Sequence, residues 1–391
     1  MQHRGTLILP LELSFDKDIS KSRGCLPQSK MVGNSTAKNE SKPTAICAFL
    51  EDTSAEVNLK AFAYCLIAIG SLLGNSLVIL VILKNRKMRS PINYLIINMA
   101  SSDILFTVFV IPRLIVELYS APHRWFVGGI FGSLLCKLDY FVQDIATAVS
   151  ILSLVAIAFD RFYGVVYPMK SGLISRGKIC GLVLACTWFL AALLHVPYFY
   201  VYKLSNDSLC RYSWGPNVDN IQASKAYFVV MSVTLFFFPA TIIIIVYGLI
   251  VISLWRKKFP GIQSLKDKKR ISKRNRSVLK MVVAVVVVFI CCWLPVNVSI
   301  YLSLFHWGLS QPCYRRTLFF WVILLAYSNV CITPFLYFIF NENFRQGFRH
   351  VFFHREEAGS FRSNRHSTRR GTRSYAVSHT SLKMQDGRKK L

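Results

Sequence analysis

The chain has 391 residues, 53% of them hydrophobic, with a formal net charge of +28 and a mean hydropathy of +0.41. Its apolar residues fall into seven long charge-poor runs that would not pack into one aqueous core, which excludes a soluble globular protein. Its Lys and Arg are confined to particular loops rather than spread over one face, which excludes nucleic acid as the reason for the charge.

In chain order, residues 1–58 read as a polar tail without periodicity, expected to be flexible. It carries the glycosylation sequons Asn34-Ser35-Thr36 and Asn39-Glu40-Ser41. Residues 6–11 are too short a run for a cleavable signal and are interrupted by Pro10, so the first span is expected to act as its own insertion signal. The apolar runs follow at 61–83, 91–112, 140–159, 179–202, 226–255, 281–305 and 317–340. Each has about 20 residues or more, the length at which an α-helix crosses ~30 Å of hydrocarbon. In lipid they must be helical, because every backbone N–H and C=O has to be satisfied within the segment.

Lys84, Arg86, Lys87 and Arg89 lie in the first loop, and Arg256 to Lys258 with Lys266 to Lys280 crowd the fifth-to-sixth connection, about 257–276. With the Arg-rich C-terminal tail these are alternate segments, and the positive-inside rule assigns them to the cytoplasm, facing anionic lipid. The N-terminus is therefore outside, as is the sequon Asn206-Asp207-Ser208 in the fourth-to-fifth connection, about 203–221. The matching tripeptide at Asn297 falls inside an apolar run and should be unmodified. In residues 341–354, Phe344, Phe348, Val351 and Phe352 recur at helical spacing among basic residues, the pattern of a short interfacial helix. Residues 355–391 read as a disordered cytoplasmic tail with phosphorylation expected at Thr372 or Ser374. The expected fold is an all-α membrane protein, a seven-transmembrane helix bundle over 59–340 with a short amphipathic eighth helix.

Six of the eleven cysteines (65, 180, 186, 291, 292, 331) lie in the spans and read as small apolar packing residues. The other five are on the oxidising outer side. Cys136, at the head of the third helix, and Cys210, in the next outer loop, are the strongest pair. Cys313 would bridge to Cys25 or Cys47, leaving one over.

Polar residues interrupt the spans. Asp103 lies mid-span, where a carboxylate costs about 2.5–3.5 kcal/mol and needs a partner or an ion, unless it is protonated and hydrogen-bonded to its neighbours. Asp160-Arg161 closes the third helix, a weak signal in isolation. Pro112, Pro239, Pro295 and Pro334 each remove a backbone hydrogen bond and are expected to kink their helices. His195 is a lone histidine in the fourth run and reads as a packing residue.

In combination these residues carry a resemblance. Residues 60–353 resemble the rhodopsin-like (class A) G protein-coupled receptors in every helix: Gly74-Asn75 in the first; Asn98, Ala100 and Asp103 in the second; Cys136 and Asp160-Arg161 at the two ends of the third; Trp188 in the fourth. Pro239 and Tyr247 match the fifth, Phe289 with Cys292-Trp293-Leu294-Pro295 the sixth, and Asn329, Pro334 and Tyr337 the seventh. The resemblance implies a plasma-membrane receptor that activates heterotrimeric G proteins through outward movement of the sixth helix, with arrestin and receptor kinases as further partners. Under it, Arg161 contacts the G protein and is held at rest by Asp160, a switch that suits a guanidinium that never loses its charge. Trp293 with Ile151, Pro239 and Phe289 relays ligand contact, and Tyr247 and Tyr337 stabilise the open state. Pro168 and Met169 offer an apolar contact to the Gα subunit. Asp103, Ser150 and Asn329 resemble a sodium pocket, the one cofactor-like ion implied. Two departures stand out: Phe162 replaces the Tyr of the Asp-Arg-Tyr motif, and Thr333 stands where Asn is expected before Pro334, shortening the polar reach toward Asp103.

The seventh run has no Lys for a retinal Schiff base. The third-helix position at which amine receptors carry Asp is Gln143, and a 58-residue tail cannot hold a glycoprotein-hormone domain. Asp144 follows Gln143 but is turned from it by about 100°. Arg113, Glu117, Asp139, Gln143, Asp144, Asn297 and Tyr327 are the candidate ligand residues. Charges of both signs around an apolar, aromatic cavity suit a peptide, with Arg113 for a carboxylate and the acids for Arg or Lys; the alternative for Arg113 and Glu117 is pairing with each other. Gln143 is similar to its counterpart in receptors for amidated peptides of the RFamide, neuropeptide Y and orexin kinds. A neuropeptide receptor is the expected function; the alternatives are a small non-peptide ligand or constitutive signalling without one. No filter-like loop, catalytic constellation or internal repeat points to a channel, enzyme or transporter.

Overall fold

The computed structural model describes residues 52–120, 122–166, 177–256, 265–307 and 315–353. Asn34, Asn39, Cys25, Cys47, Cys313, Pro168, Met169, Thr372 and Ser374 lie outside the described residues. The helices are α1 (Ser54–Lys84), α2 (Pro91–Tyr119), α3 (Gly129–Val166), α4 (Gly177–His195), α5 (Tyr198–Val201), α6 (Asn220–Ser232), α7 (Phe238–Arg256), α8 (Leu265–Tyr301), α9 (Arg315–Phe340) and α10 (Glu342–Phe353). A hairpin of β1 (Tyr202–Leu204) and β2 (Cys210–Tyr212) pairs antiparallel between α5 and α6. Seven of these segments are long and apolar enough to cross a membrane, with α4 and α5 together forming the fourth span and α6 and α7 the fifth.

Local chemistry moves several boundaries. α1 starts at Ser54, ahead of residue 59, because Thr53 and Glu56 form a capping box: the Thr53 N–H donates to Glu56 Oε2 at 2.7 Å and the Glu56 N–H to Thr53 Oγ1 at 3.3 Å. α2 opens on Ser90 as cap with Pro91 in its first turn, and runs past Pro112 to Tyr119. α3 begins at Gly129, well before residue 140. α8 begins at Leu265, inside the stretch read as a loop; no Gly or Pro occurs between Gly261 and Pro295, so nothing stops a helix rich in Lys and Arg from continuing out of the lipid. The fourth-to-fifth connection holds the hairpin, which a short polar stretch does not announce.

The fourth span breaks at Pro197, after which α5 adds one further turn. In the fifth, Val233–Phe237 form a π turn in which the Phe238 N–H donates to the Val233 carbonyl. Pro239 has no N–H to continue an ordinary α ladder, and the wide turn beside it re-registers the backbone.

The third span is the most enclosed, with 67% of its apolar window buried against 22% for the fourth, so α3 is the axis of the bundle. Outward-facing side chains such as Leu73, Leu182, Phe189 and Ile244 are large and apolar, as a lipid contact demands. Because lipid gives no hydrophobic drive to helix association, polar hooks and close contacts set the packing. Asn75 Nδ2 donates to the Val330 carbonyl at 3.0 Å, joining the first span to the seventh. A Cβ at Gly74 would sit 2.6 Å from Pro334 Cγ, so that approach requires glycine. Asn98 donates to Ser153 at 2.9 Å and accepts from Trp188 Nε1 at 2.8 Å, tying the second, third and fourth spans. On α10, Phe344 is fully buried and stacks on Tyr337 at 5.7 Å, while Phe352 is exposed.

Candidate functional site

The outer half of the bundle carries two adjoining arrangements. The first is a buried polar network on α2 and α3. Arg113 donates through Nε to Asp139, through Nη1 to Glu117 at 3.2 Å, and through Nη2 to Gln143 Oε1 at 2.6 Å. Its guanidinium lies 4.5 Å from the Tyr140 ring. The Tyr140 hydroxyl lies 2.7 Å from His123 Nδ1, and its ring stacks on Tyr202 at 4.2 Å. Pairing of Arg113 with Glu117 is therefore present, and the same guanidinium also meets a second acid and an amide. Its donors are committed within the protein rather than offered to a ligand carboxylate.

The second is a half-open cavity of about 110 Å³ lined by the third, fourth, fifth and sixth spans. Of the seven residues expected to face ligand, Asp144 and Asn297 line it; Arg113, Glu117, Asp139 and Gln143 stand in the network, and Tyr327 packs behind Trp293 with ring centroids 6.3 Å apart. The quarter-turn between consecutive helical positions turns Gln143 to Arg113 and Asp144 to the cavity. The Tyr198 hydroxyl donates to Asp144, and Gln143 Nε2 donates to it at 3.3 Å. Asn297 donates to the Trp293 carbonyl at 2.9 Å and accepts from Ser232 at 3.1 Å, joining the fifth and sixth spans.

Ile151, Phe236, Phe289 and Trp293 line the same cavity. Phe289 sits 6.1 Å from Phe236 and 6.2 Å from Trp293, and Pro239 is buried just beyond the π turn. Among the cavity's polar and aromatic residues, Tyr198 and Tyr227 are not singled out by the sequence, and His195 reads there only as a packing residue. The available sign for Tyr198 is the aromatic run Pro197-Tyr198-Phe199-Tyr200 at the outer end of the fourth stretch. His195 is buried, but its ring lies in the cavity wall as well as in the packing.

The outer loops are tied to this region. Cys136 and Cys210 form a disulfide, as their positions led us to expect, with Cα atoms 5.7 Å apart. The Cys210 N–H donates to the His123 carbonyl and the Trp125 N–H to the Ser208 carbonyl, both at 2.8 Å, so the loop before α3 zips onto the hairpin. Asn206 is exposed at the hairpin turn, where Ser205, first, and Arg211 hold the Asp207 carboxyl below its usual range. At the start of α9, Arg315 is buried over the Phe319 ring at 5.3 Å. Among the described residues its Nε and Nη2 have no hydrogen-bond partner, and burial pushes its pKa down to about 10. The Arg315-Arg316 pair at an outer helix end, against the positive-inside trend, is the sign the sequence offers.

On the inner side, Arg161 Nη2 donates to Asp160 Oδ2 at 2.8 Å, with Asp160 nearly enclosed and Arg161 partly open. Tyr247 and Tyr337 are buried in the inner half, the Tyr337 hydroxyl 3.7 Å from Met99 Sδ. Between the two levels, Asp103 accepts from Ser150 at 3.2 Å, and Asn329 Oδ1 is buried without a partner among the described residues. A carboxylate, a hydroxyl and an amide oxygen are oxygen donors of the kind a small hard cation takes. Thr333 turns its hydroxyl back to the Asn329 carbonyl at 2.8 Å.

Residues 74–337 match a family model described as 7 transmembrane receptor (rhodopsin family). The chain is 32% identical over 295 residues to a QRFP-like peptide receptor of Branchiostoma floridae, covering 73% of this chain and 75% of that protein. It is 30% identical over 300 residues to the substance-P receptor of Rattus norvegicus and 29% identical over 300 residues to that of Canis lupus familiaris, in each case 76% of this chain and 71% of the relative.

Proposed function

The chain belongs to the rhodopsin family of seven-transmembrane receptors, a multi-pass plasma-membrane protein, and on that premise we propose that it binds an extracellular neuropeptide and activates heterotrimeric G proteins through outward movement of the sixth span. The carrying observation is the shared surface: the cavity that takes Asp144 and Asn297 into its wall also has Ile151, Phe289 and Trp293 in it. A ligand there touches the sixth span directly, and only an interaction that differs between resting and open packings can shift their balance. Relatives named as receptors for a QRFP-like peptide and for substance P support the peptide class.

In this reading Arg113, Glu117, Asp139 and Gln143 hold the shape of the outer rim, and Tyr327 backs Trp293. Asp160 restrains Arg161, which engages the G protein when released, together with Pro168 and Met169. Tyr247 and Tyr337 support the open state, and Pro239, Pro295 and Pro334 mark where the spans bend. Asp103, Ser150 and Asn329 would hold sodium, which stabilises the resting packing by neutralising a buried carboxylate. The N-terminus and glycosylated Asn34, Asn39 and Asn206 face outward, and arrestin and receptor kinases act on the cytoplasmic tail.

The test is nucleotide exchange on G proteins in membranes from cells expressing the chain, challenged with an amidated-peptide library. Peptide-dependent exchange supports the reading. Solute transport with no exchange under any condition would end it.

A further inference from the structure

The network and cavity side of the outer bundle holds three carboxylates on the second and third spans, and two of them, Glu117 and Asp139, meet Arg113. The third, Asp144, meets no cation: among the described residues its partners are the neutral Tyr198 hydroxyl and the Gln143 amide. A carboxylate at this depth is costly without a counter-charge, and two neutral donors do not supply one.

What surrounds it is chemically one-sided. His195 Nδ1 lies 2.8 Å from the Ala191 carbonyl oxygen, which only accepts, so in the neutral ring the proton sits on Nδ1 and Nε2 is left as an acceptor. His195 meets the Tyr198 ring edge-on at 5.4 Å, and Tyr198 bonds Asp144, which places all three in one corner of the cavity. Tyr227 lies 5.9 Å from Tyr198 and adds a second aromatic ring. The neighbouring hydroxyl donors are committed: Tyr198 to Asp144, Tyr227 to the Leu194 carbonyl, Thr147 to the Gln143 carbonyl. The corner offers a negative charge, an imidazole lone pair and ring faces, and withholds its hydroxyl protons.

We propose that this corner seats a cationic group of the ligand, a guanidinium or an ammonium, with Asp144 as its counter-ion and His195 Nε2 as its second acceptor. The assignment rests on the receptor reading above and names the ligand class within it. Both groups are donor-only and are attracted to ring faces, matching every free feature of the corner. Residues beside the cation meet Phe228, Met231, Leu235 and Trp293, so its neighbour in the ligand is apolar or aromatic. Arg113, already committed to two acids and an amide, is not free to take a ligand carboxylate.

The experiment follows the thermal stability of the purified full chain in detergent with three probes: N-acetyl-Arg-Phe-amide, N-acetyl-Lys-Phe-amide and the neutral isostere N-acetyl-citrullinyl-Phe-amide. A charged peptide should raise the melting temperature, and the citrulline peptide should need roughly tenfold to a hundredfold more for the same shift. Asp144→Asn should erase that difference while Asp144→Glu keeps it. Equal shifts from charged and neutral peptides, undiminished discrimination in Asp144→Asn, or no shift at millimolar peptide each overturn the proposal. The peptide comparison is made on the unmutated chain, so it stands whether or not a variant folds. Nucleotide exchange in parallel separates the two ideas. Exchange driven equally well by cation-free peptides overturns the seat and spares the receptor; charge discrimination without exchange from any peptide supports the seat and overturns the receptor.

Discussion

Arg113 Nη2 on the second span donates to Gln143 Oε1 on the third at 2.6 Å, and this bond turns the Gln143 side chain away from the cavity that its neighbour Asp144 enters. Two acids and an amide share one guanidinium here, and the group is nearly enclosed: the side chains of Arg113 and Asp139 are 7% and 8% exposed. Arg113→Ala leaves two buried acids without their cation and should destabilise the receptor by about 3–5 kcal/mol. Adding Asp139→Asn should recover part of that loss. The measurement is the thermal unfolding midpoint of detergent-solubilised protein; additive losses in the double variant would contradict the shared network.

The Asp160–Arg161 pair predicts opposite effects from its two halves. Arg161→Ala should abolish peptide-stimulated nucleotide exchange while leaving surface expression intact. Asp160→Asn removes the partner that holds the guanidinium and should raise basal exchange. Full stimulation of the Arg161→Ala protein would remove Arg161 from the coupling step.

Thr333 spends its hydroxyl on the Asn329 carbonyl, so it does not reach Asp103. Thr333→Asn puts a longer polar side chain one helical turn from Asn329, whose Oδ1 has no partner among the described residues. It should increase the stabilisation by sodium over that by the same concentration of potassium. If the two chains respond identically to sodium, residue 333 plays no part in ion affinity.

Arg315 predicts a gain of stability on removal of a charge. Two of its guanidinium nitrogens are buried without a partner among the described residues, and burial depresses its pKa. An unsatisfied buried polar group costs about 1–3 kcal/mol. Arg315→Met keeps the stem over the Phe319 ring and removes that cost, so the melting temperature should rise. A fall in melting temperature would show that the guanidinium is stabilising where it sits.

The residues legible from sequence were those whose chemistry is local or periodic. Length and apolarity marked the spans, Ser90-Pro91 the start of α2, and Phe344 with Phe348 the stripe of α10. Boundaries governed by a cap or by the lack of a breaker were harder to place: Thr53 with Glu56 lengthens α1, and the Pro-free run after Gly261 carries α8 out of the lipid. The hairpin escaped because its stability comes from the disulfide at Cys210 and from bonds to His123 and Trp125, groups far away in sequence.

The candidate site divides the same way. The sequence by itself determined that polar and charged residues interrupt the outer halves of the second and third spans, since membrane insertion makes each such residue expensive and therefore conspicuous. It could not determine which of them face one another. That was decided by tertiary structure, because hydrogen bonding in a low-dielectric interior depends on a few degrees of helix rotation and an ångström of separation. Packing of α2 against α3 closes Arg113 on Asp139, Glu117 and Gln143, and packing of α3 against α4 and α5 leaves Asp144 with Tyr198 and His195 and, among the described residues, without a cation.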